Sequence, residues 1–328
     1  LDRAEDGIAD ESALDAIGDE LGRSARRLAI VRAVETGLAV PPWLAGTDAY
    51  ADELAQQIEG AIELSGQGTG LRRLTAPLEL SYSKVDQYRR CPACFYLRYV
   101  LGMVEPGTSQ QIVGTVAHAA LERFYRRWSD ADVEGETKPT LDDLIGIARE
   151  LFVFESRRVR GVEASQLDQI EAQLRLGYEK LHDESAEVIL LEENAPFAYE
   201  RAGADEGAHR FSAKLDRVDR LADGFRIVDY KTGQAWNKLR EPKKDDLQLG
   251  IYAMALAAKL GMTIDELSGS AEYWLFATGE WGVIGLDEID HKKVRKAIDK
   301  AIEGILAGDF APKKGCGGQC ELLMGSAE

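Results

Sequence analysis

Cysteine, histidine and methionine are scarce here, four of each in 328 residues. So few cysteines in so long a chain exclude a disulfide-built secreted scaffold. No apolar run approaches the roughly eighteen residues that span a bilayer, and no charged-then-apolar leader is present, so a soluble, cytoplasmic protein with no membrane partner is expected. Positive charge is also short: 40 Lys and Arg stand against 57 Asp and Glu, a net charge of −17. That balance excludes nucleic-acid binding by bulk attraction and confines any such contact to local basic patches. What remains is ordinary globular material, 45% hydrophobic and 30% charged, enough for one large domain or two modest ones. Leu1 in place of an initiating Met points to a fragment or a processed chain.

Residues 1–75 read as a helical, acidic accessory or docking region. Apolar residues recur near helical spacing through DESALDAIGDELGRSARRLAIVRAVETGL, with Gly37 and the Pro41-Pro42 pair as a stop. A second helix is expected from Thr47 to about Leu64, followed by a Gly/Ser-rich linker over 65–70. No catalytic pattern falls in this region.

The most informative stretch is Phe211–Gly233, FSAKLDRVDRLADGFRIVDYKTG, which reads as a β-hairpin turning at Ala222-Asp223-Gly224. Aspartate is a poor strand former, so Asp216 and Asp229 inside apolar strands need a reason. Across a short turn they can stand side by side, with Lys231 on the same face as Asp229. Two carboxylates and an ammonium at one point make a site for a hard divalent cation, with a positive group left for an anionic oxygen. The competing reading is a surface hairpin whose acids are neutralised by Arg217 and Arg220.

Upstream, Ser81 or Ser83 can cap a helix running through Val85, Tyr88 and beyond. Arg89, Arg90 and Arg98 interleave with Tyr88, Phe95, Tyr96 and Tyr99, a pattern that suits a single-stranded nucleic-acid path, core packing being the alternative. The same helix carries Cys91 and Cys94 as CxxC, and Cys316 and Cys320 lie near the C-terminus. Two pairs in a cytosolic chain more often bind metal than form disulfides, and four thiolates suit zinc or iron–sulfur. Further helices are expected over 114–128, 137–177, 245–261 and 291–307, and strands over 186–201, 271–278 and 281–289. Arg157, Arg158 and Arg160 form a small basic cluster, and Lys238, Arg240, Lys243 and Lys244 a basic loop. Gln248 and Tyr252, four apart, share one helical face.

KLDRVDRLADGFRIVDYKTG resembles motifs II and III of the RecB-like branch of the PD-(D/E)xK nuclease superfamily. GTVAHAALERFY at 114–125, QLGIY at 248–252 and SYSKVDQYRRCPACFYLRYVLG at 81–102 match further pieces in the family's order, together spanning about Leu80 to Pro312. Ala213 departs from the Gly the family often has. The resemblance implies an α/β restriction-endonuclease-like core, a mixed central sheet flanked by helices, over residues 80–328.

It also implies a Mg²⁺- or Mn²⁺-dependent deoxyribonuclease, an exonuclease on DNA ends or single strands within a helicase–nuclease repair or recombination system. A catalytically silent DNA-binding or structural subunit is the alternative. By the same resemblance His118 joins Asp216, Asp229 and the Tyr230 carbonyl as metal ligands, and Glu122 orients His118 or a metal-bound water. Asp216, Asp229, Lys231 and Gln248 form the catalytic set. Arg89, Arg90 and Tyr252 face DNA, with core packing the other reading of Tyr252. A helicase motor is the implied partner. Cys91, Cys94, Cys316 and Cys320 resemble the family's [4Fe-4S] staple, with zinc second and free thiols third; the tail reads CxxxC and lacks the family's third thiol. His182, His209 and His291 receive no role.

Overall fold

The computed structural model describes residues 11–35, 40–45, 74–103, 111–159, 161–233 and 237–324. The expected helix from Thr47 to Leu64 and the linker after it lie outside these. Among the described residues two helices precede the sheet, α1 (Glu11–Glu35) and the short α2 (Pro42–Ala45). Next come β1 (Glu79–Leu80), α3 (Tyr82–Arg90), α4 (Pro92–Phe95) and a π-helical turn over Tyr96–Val100. Three long helices follow, α5 (Gln111–Glu134), α6 (Leu141–Glu155) and α7 (Ala164–Leu181). The remainder is β2 (Glu187–Tyr199), β3 (His209–Leu221), β4 (Gly224–Lys231), α8 (Asn237–Arg240), α9 (Leu247–Leu260), β5 (Gly269–Leu275), β6 (Glu280–Gly285), α10 (His291–Ala307) and α11 (Gln319–Met324). None of the described helices is long and apolar enough to cross a membrane.

The six strands form one mixed sheet flanked by helices, as expected. β2 runs antiparallel along β3 from Glu187↔Arg220 to Tyr199↔His209. β1 and β4 therefore share the opposite edge of β3, β1 parallel at Leu80↔Phe211 and β4 antiparallel from Leu221↔Gly224 to Arg217↔Val228. Beyond Arg217↔Val228 the ladder between β3 and β4 ends, leaving a notch in the sheet. β4 then pairs in parallel with β5, and β5 antiparallel with β6.

Each face buries its own core. On one side α9 and α10 pack with α3 over Leu215, Val218, Ile227 and Ala271. α9 is capped at Asp246, which accepts from the Leu249 N–H, and ends at Gly261 with φ +68°, the left-handed conformation glycine adopts without a Cβ clash. Val294 of α10 approaches Gly250 so closely that a Cβ there would stand 2.7 Å from a Val294 methyl, which is why a glycine sits mid-helix. On the other side α5, α6 and α7 cover Val228, Tyr230, Trp274 and Phe276.

The helix expected to run on past Tyr88 is interrupted. Cys91 is extended, φ −156° and ψ 109°, because Pro92 lacks an N–H and its ring disfavours helical geometry in the residue before it. Cys91 thus caps two helices, and Cys94 lies in the second. Ser81 is the cap of α3, accepting from the Lys84 N–H at 3.3 Å.

Candidate active site

The hairpin turns where its sequence places the turn, and one step past the pair Arg217↔Val228 the two aspartates stand across from each other at the notch. Asp216 Oδ2 accepts from the Tyr230 N–H at 2.9 Å, so a side chain takes up the donor that the ladder no longer serves. Among the described residues no arginine pairs with Asp216. Arg217 turns to the other face, where it pairs with Asp219 at 2.5 Å, and Arg226 pairs with the same Asp219. Arg220 is engaged with Glu187. The surface-hairpin alternative therefore fails for Asp216 and Asp229, both of which are buried.

Lys231 Nζ lies 2.5 Å from Asp229 Oδ2 and donates to Gln248 Oε1 at 3.1 Å. Gln248 Nε2 in turn donates to Asp229 Oδ1 at 2.6 Å and to the Tyr252 hydroxyl at 3.0 Å. One amide from α9 thus holds both charged groups of the DYK strand. Tyr252 is buried, as its core-packing reading has it, and its hydroxyl closes the Gln248 network. Helical spacing tells that two side chains share a face, not that the face looks outward.

His118 arrives from α5 on the opposite side of the notch. Gly114, one turn earlier, faces Thr232, whose Oγ1 would stand 3.3 Å from an added Cβ, so the helix can close on the strand end. His118 Nε2 lies 3.1 Å from the Tyr230 carbonyl oxygen and Nδ1 3.2 Å from Glu192 Oε1, with Asp216 Oδ2 at 3.6 Å. Glu122 does not orient this ring; it is drawn one turn along its helix to Arg126, at 2.7 Å. Glu192 of β2 takes that place. Alternation could not reveal it, since Glu192 follows a register shift at Val188/Leu190 and has φ +48°, a left-handed conformation unusual for a residue with a Cβ.

The donor set fits a small divalent ion. Carboxylate, carbonyl and imidazole atoms converge, and those of His118, Glu192 and Asp216 lie within 4.8 Å of one another. The 3.1 Å between His118 Nε2 and the Tyr230 oxygen matches the spacing of adjacent ligands on an octahedron with bonds of about 2.1 Å, roughly 3 Å. Asp229 stands outside that tight group, beside Lys231 and Gln248.

Burial, reinforced by the neighbouring Asp229, pushes the Asp216 carboxyl up to about 7. Burial opposes charge on His118, but the hydrogen bond to Glu192 and the surrounding carboxylates prevail and raise its pKa. Both groups are raised in the folded state, so each contributes stability that is present at acid pH and lost as pH climbs through the folded value. In protein stripped of divalent ions, the melting temperature is expected to fall between about pH 5 and about pH 8, a decline that added Mn²⁺ reverses and Asp216→Asn shrinks. A thermal-shift series across that range checks it; a flat profile counts against the buried pair.

The basic–aromatic segment divides differently from the expected path. Tyr88, Phe95 and Tyr96 are buried around Phe310, with Tyr96 and Phe310 centroids 4.8 Å apart, and the Tyr88 hydroxyl donates to the Asp309 carbonyl. These rings clamp the C-terminal segment and offer no stacking surface. Arg89 and Arg90 are exposed, Arg90 pairing with Asp86, and half-buried Tyr99 has Arg98 and Lys84 near its ring.

The four cysteines meet as expected. Cys91 and Cys320 sulfurs are 3.5 Å apart, Cys94 and Cys316 3.8 Å, and Cys316 and Cys320 3.4 Å. Burial pushes Cys94 up to about 11 and Cys320 further, whereas burial at Cys91 is outweighed by backbone N–H donors and neighbouring thiols, bringing it down to about 7. Four thiols packed this closely cannot all ionise without a cation among them.

Comparison with known families now decides the class: the PD-(D/E)XK nuclease superfamily matches residues 79–324. The chain belongs to that superfamily. Its motifs place it in the RecB-like branch, and divalent metals are what these nucleases use. Two curated relatives are each named as a subunit of an ATP-dependent helicase/deoxyribonuclease. That of Acetivibrio thermocellus is 27% identical over 264 residues, covering 71% of this chain and 22% of the relative. That of Ruminiclostridium cellulolyticum is 26% identical over 189 residues, covering 48% of this chain and 16% of the relative. The chain therefore spans about a fifth of the length of these relatives.

Proposed function

We propose that this RecB-like domain hydrolyses DNA phosphodiesters, acting on ends or single strands as the nuclease of a helicase–nuclease system for repair or recombination. The observation that carries this reading is the notch itself: two buried aspartates face each other where β3 and β4 part, an imidazole beside Asp216 and a lysine beside Asp229, and among the described residues no arginine pairs with either acid. His118, Asp216, Asp229 and the Tyr230 carbonyl would hold Mg²⁺ or Mn²⁺. The bound ion supplies a water of lowered pKa and offsets charge on the phosphate.

The chain's own groups do the rest. Lys231 Nζ would orient the attacking water and donate to a nonbridging phosphate oxygen, where charge grows in the transition state. Gln248 keeps Nζ and the Asp229 carboxylate in register and so acts as a positioning residue. Arg89 and Arg90, exposed on α3, suit phosphate contacts. DNA as substrate and a helicase motor as partner are supported by the names of the relatives. The test is incubation of the purified chain with end-labelled single-stranded and duplex DNA. Cleavage with Mn²⁺ or Mg²⁺ that stops with EDTA is expected; DNA binding without cleavage would instead favour a silent subunit.

Residues 80–328 form the nuclease unit in this reading and residues 1–75 a helical accessory or docking region. α1 packs against α11, Arg26 Nε donating to the Leu323 carbonyl at 2.6 Å, which favours the accessory role for that helix.

The cysteine centre, in this reading, is one zinc ion rather than the iron–sulfur cluster that the resemblance implies. A tetrahedron of thiolates with Zn–S bonds of about 2.3 Å has edges of about 3.8 Å; here the Cys91–Cys320, Cys94–Cys316 and Cys316–Cys320 edges are 3.4 to 3.8 Å, and all four sulfurs lie within 4.8 Å of one another. A [4Fe-4S] cluster takes each thiolate on a separate corner iron and needs a wider cage.

A further inference from the structure

Glu192 is a charged side chain buried where no strand pattern asks for one. Its carboxylate is 7% exposed, and both oxygens are committed, Oε1 to His118 Nδ1 at 3.2 Å and Oε2 to Lys214 Nζ at 2.5 Å. Between the pairs Leu191↔Arg217 and Glu193↔Leu215 it stands across β2–β3 from Asp216. Three carboxylates thus lie in a row on adjacent strands, at Glu192, Asp216 and Asp229. The outer two differ in what holds them: Asp229 is held by the lysine and amide of the DYK side, Glu192 by the imidazole and a lysine of its own.

We infer that Glu192 is the positioning residue for His118. By accepting a hydrogen bond from Nδ1–H, which it approaches more closely than Asp216 Oδ2 does, 3.2 Å against 3.6 Å, it fixes the ring so that Nε2, beside the Tyr230 carbonyl, is the nitrogen presented to the divalent ion. Lys214, largely exposed, balances the second oxygen and keeps the carboxylate from turning into the site as a ligand itself. The left-handed backbone at Glu192 serves this placement, since it departs from the alternation that would carry successive side chains to opposite faces. A carboxylate behind a ligating histidine raises the basicity of the ring and removes its rotational freedom, and losing one typically costs ten- to a hundredfold in metal affinity. The inference rests on the divalent site proposed above and on nothing about the reaction.

Its test is Mn²⁺ binding to the whole chain, by titration calorimetry and by the loss of the free-ion EPR signal, with no DNA present. Glu192→Gln is expected to weaken Mn²⁺ about tenfold or more, and so is His118→Ala. The double variant should bind no more weakly than His118→Ala alone, because Glu192 acts only through that ring. Additive losses would make Glu192 a ligand in its own right and overturn the inference. Unchanged affinity in Glu192→Gln would reduce it to a fold-stabilising pair, also overturning it while leaving the divalent site intact. A wild-type chain that binds no Mn²⁺ refutes both. Should Glu192→Gln unfold, Glu192→Asp keeps the charge but shortens the reach to Nδ1, and the same loss is expected of it.

Discussion

Asp229→Ala is expected to lower metal-dependent DNA cleavage by about a thousandfold or more, and Lys231→Ala to do the same, with both variants folded. The size follows from how inert a phosphodiester is: the ion and the groups around the phosphorus must supply most of the acceleration, and a thousandfold loss is only about 4 kcal/mol of it. Folding should survive for a reason visible at the notch. Asp229 raises the cost of ionising Asp216, so deleting it relieves a repulsion. A melting temperature at or above wild type, together with an inactive enzyme, is therefore the expected pair of results for Asp229→Ala. Lys231→Ala leaves Asp229 hydrogen-bonded to Gln248 and removes only a half-exposed ammonium. Retained cleavage by both purified variants, measured on end-labelled DNA, would refute the site.

The second large effect concerns the sulfur centre. The chain should carry about one zinc and lack the brown colour and near-400 nm absorbance of an iron–sulfur protein; stoichiometric iron and sulfide would overturn the zinc reading. Cys320→Ser is expected to lose the metal and to melt roughly 5–10 °C lower. Cys91 and Cys320 are 229 residues apart in sequence, and a cross-link closing so long a loop contributes about 5 kcal/mol by restricting the unfolded chain. Cys320 also sits on α11, against which α1 packs, so limited proteolysis should cut Cys320→Ser within α1 and α11 before the sheet. Metal analysis and a melting curve on the same preparation decide the matter.

How legible all this was in the amino-acid order depends on how local the cause is. Asp216, Asp229 and Lys231 could be placed together because a short turn and a two-residue period fix a hairpin's register. The interruption at Cys91 had a local cause as well, Pro92, which a reading of continuous helical spacing passed over. Glu192 had no such signal: it depends on a register shift and one left-handed residue, neither of which alternation encodes. Phe310 gathers Tyr88, Phe95 and Tyr96 from more than two hundred positions away, so rings that read locally as a stacking path are core. Tyr252 had two readings because helical period gives neighbours and not orientation.

The clasp at the cysteines has a mechanical consequence. With a metal joining Cys91 and Cys94 to Cys316 and Cys320, as proposed, a pull applied near residue 91 and near residue 324 would run through the sulfurs and bypass the strands. If a motor tugs on this unit while threading a strand past it, the load path ends at that corner, and the notch stays slack.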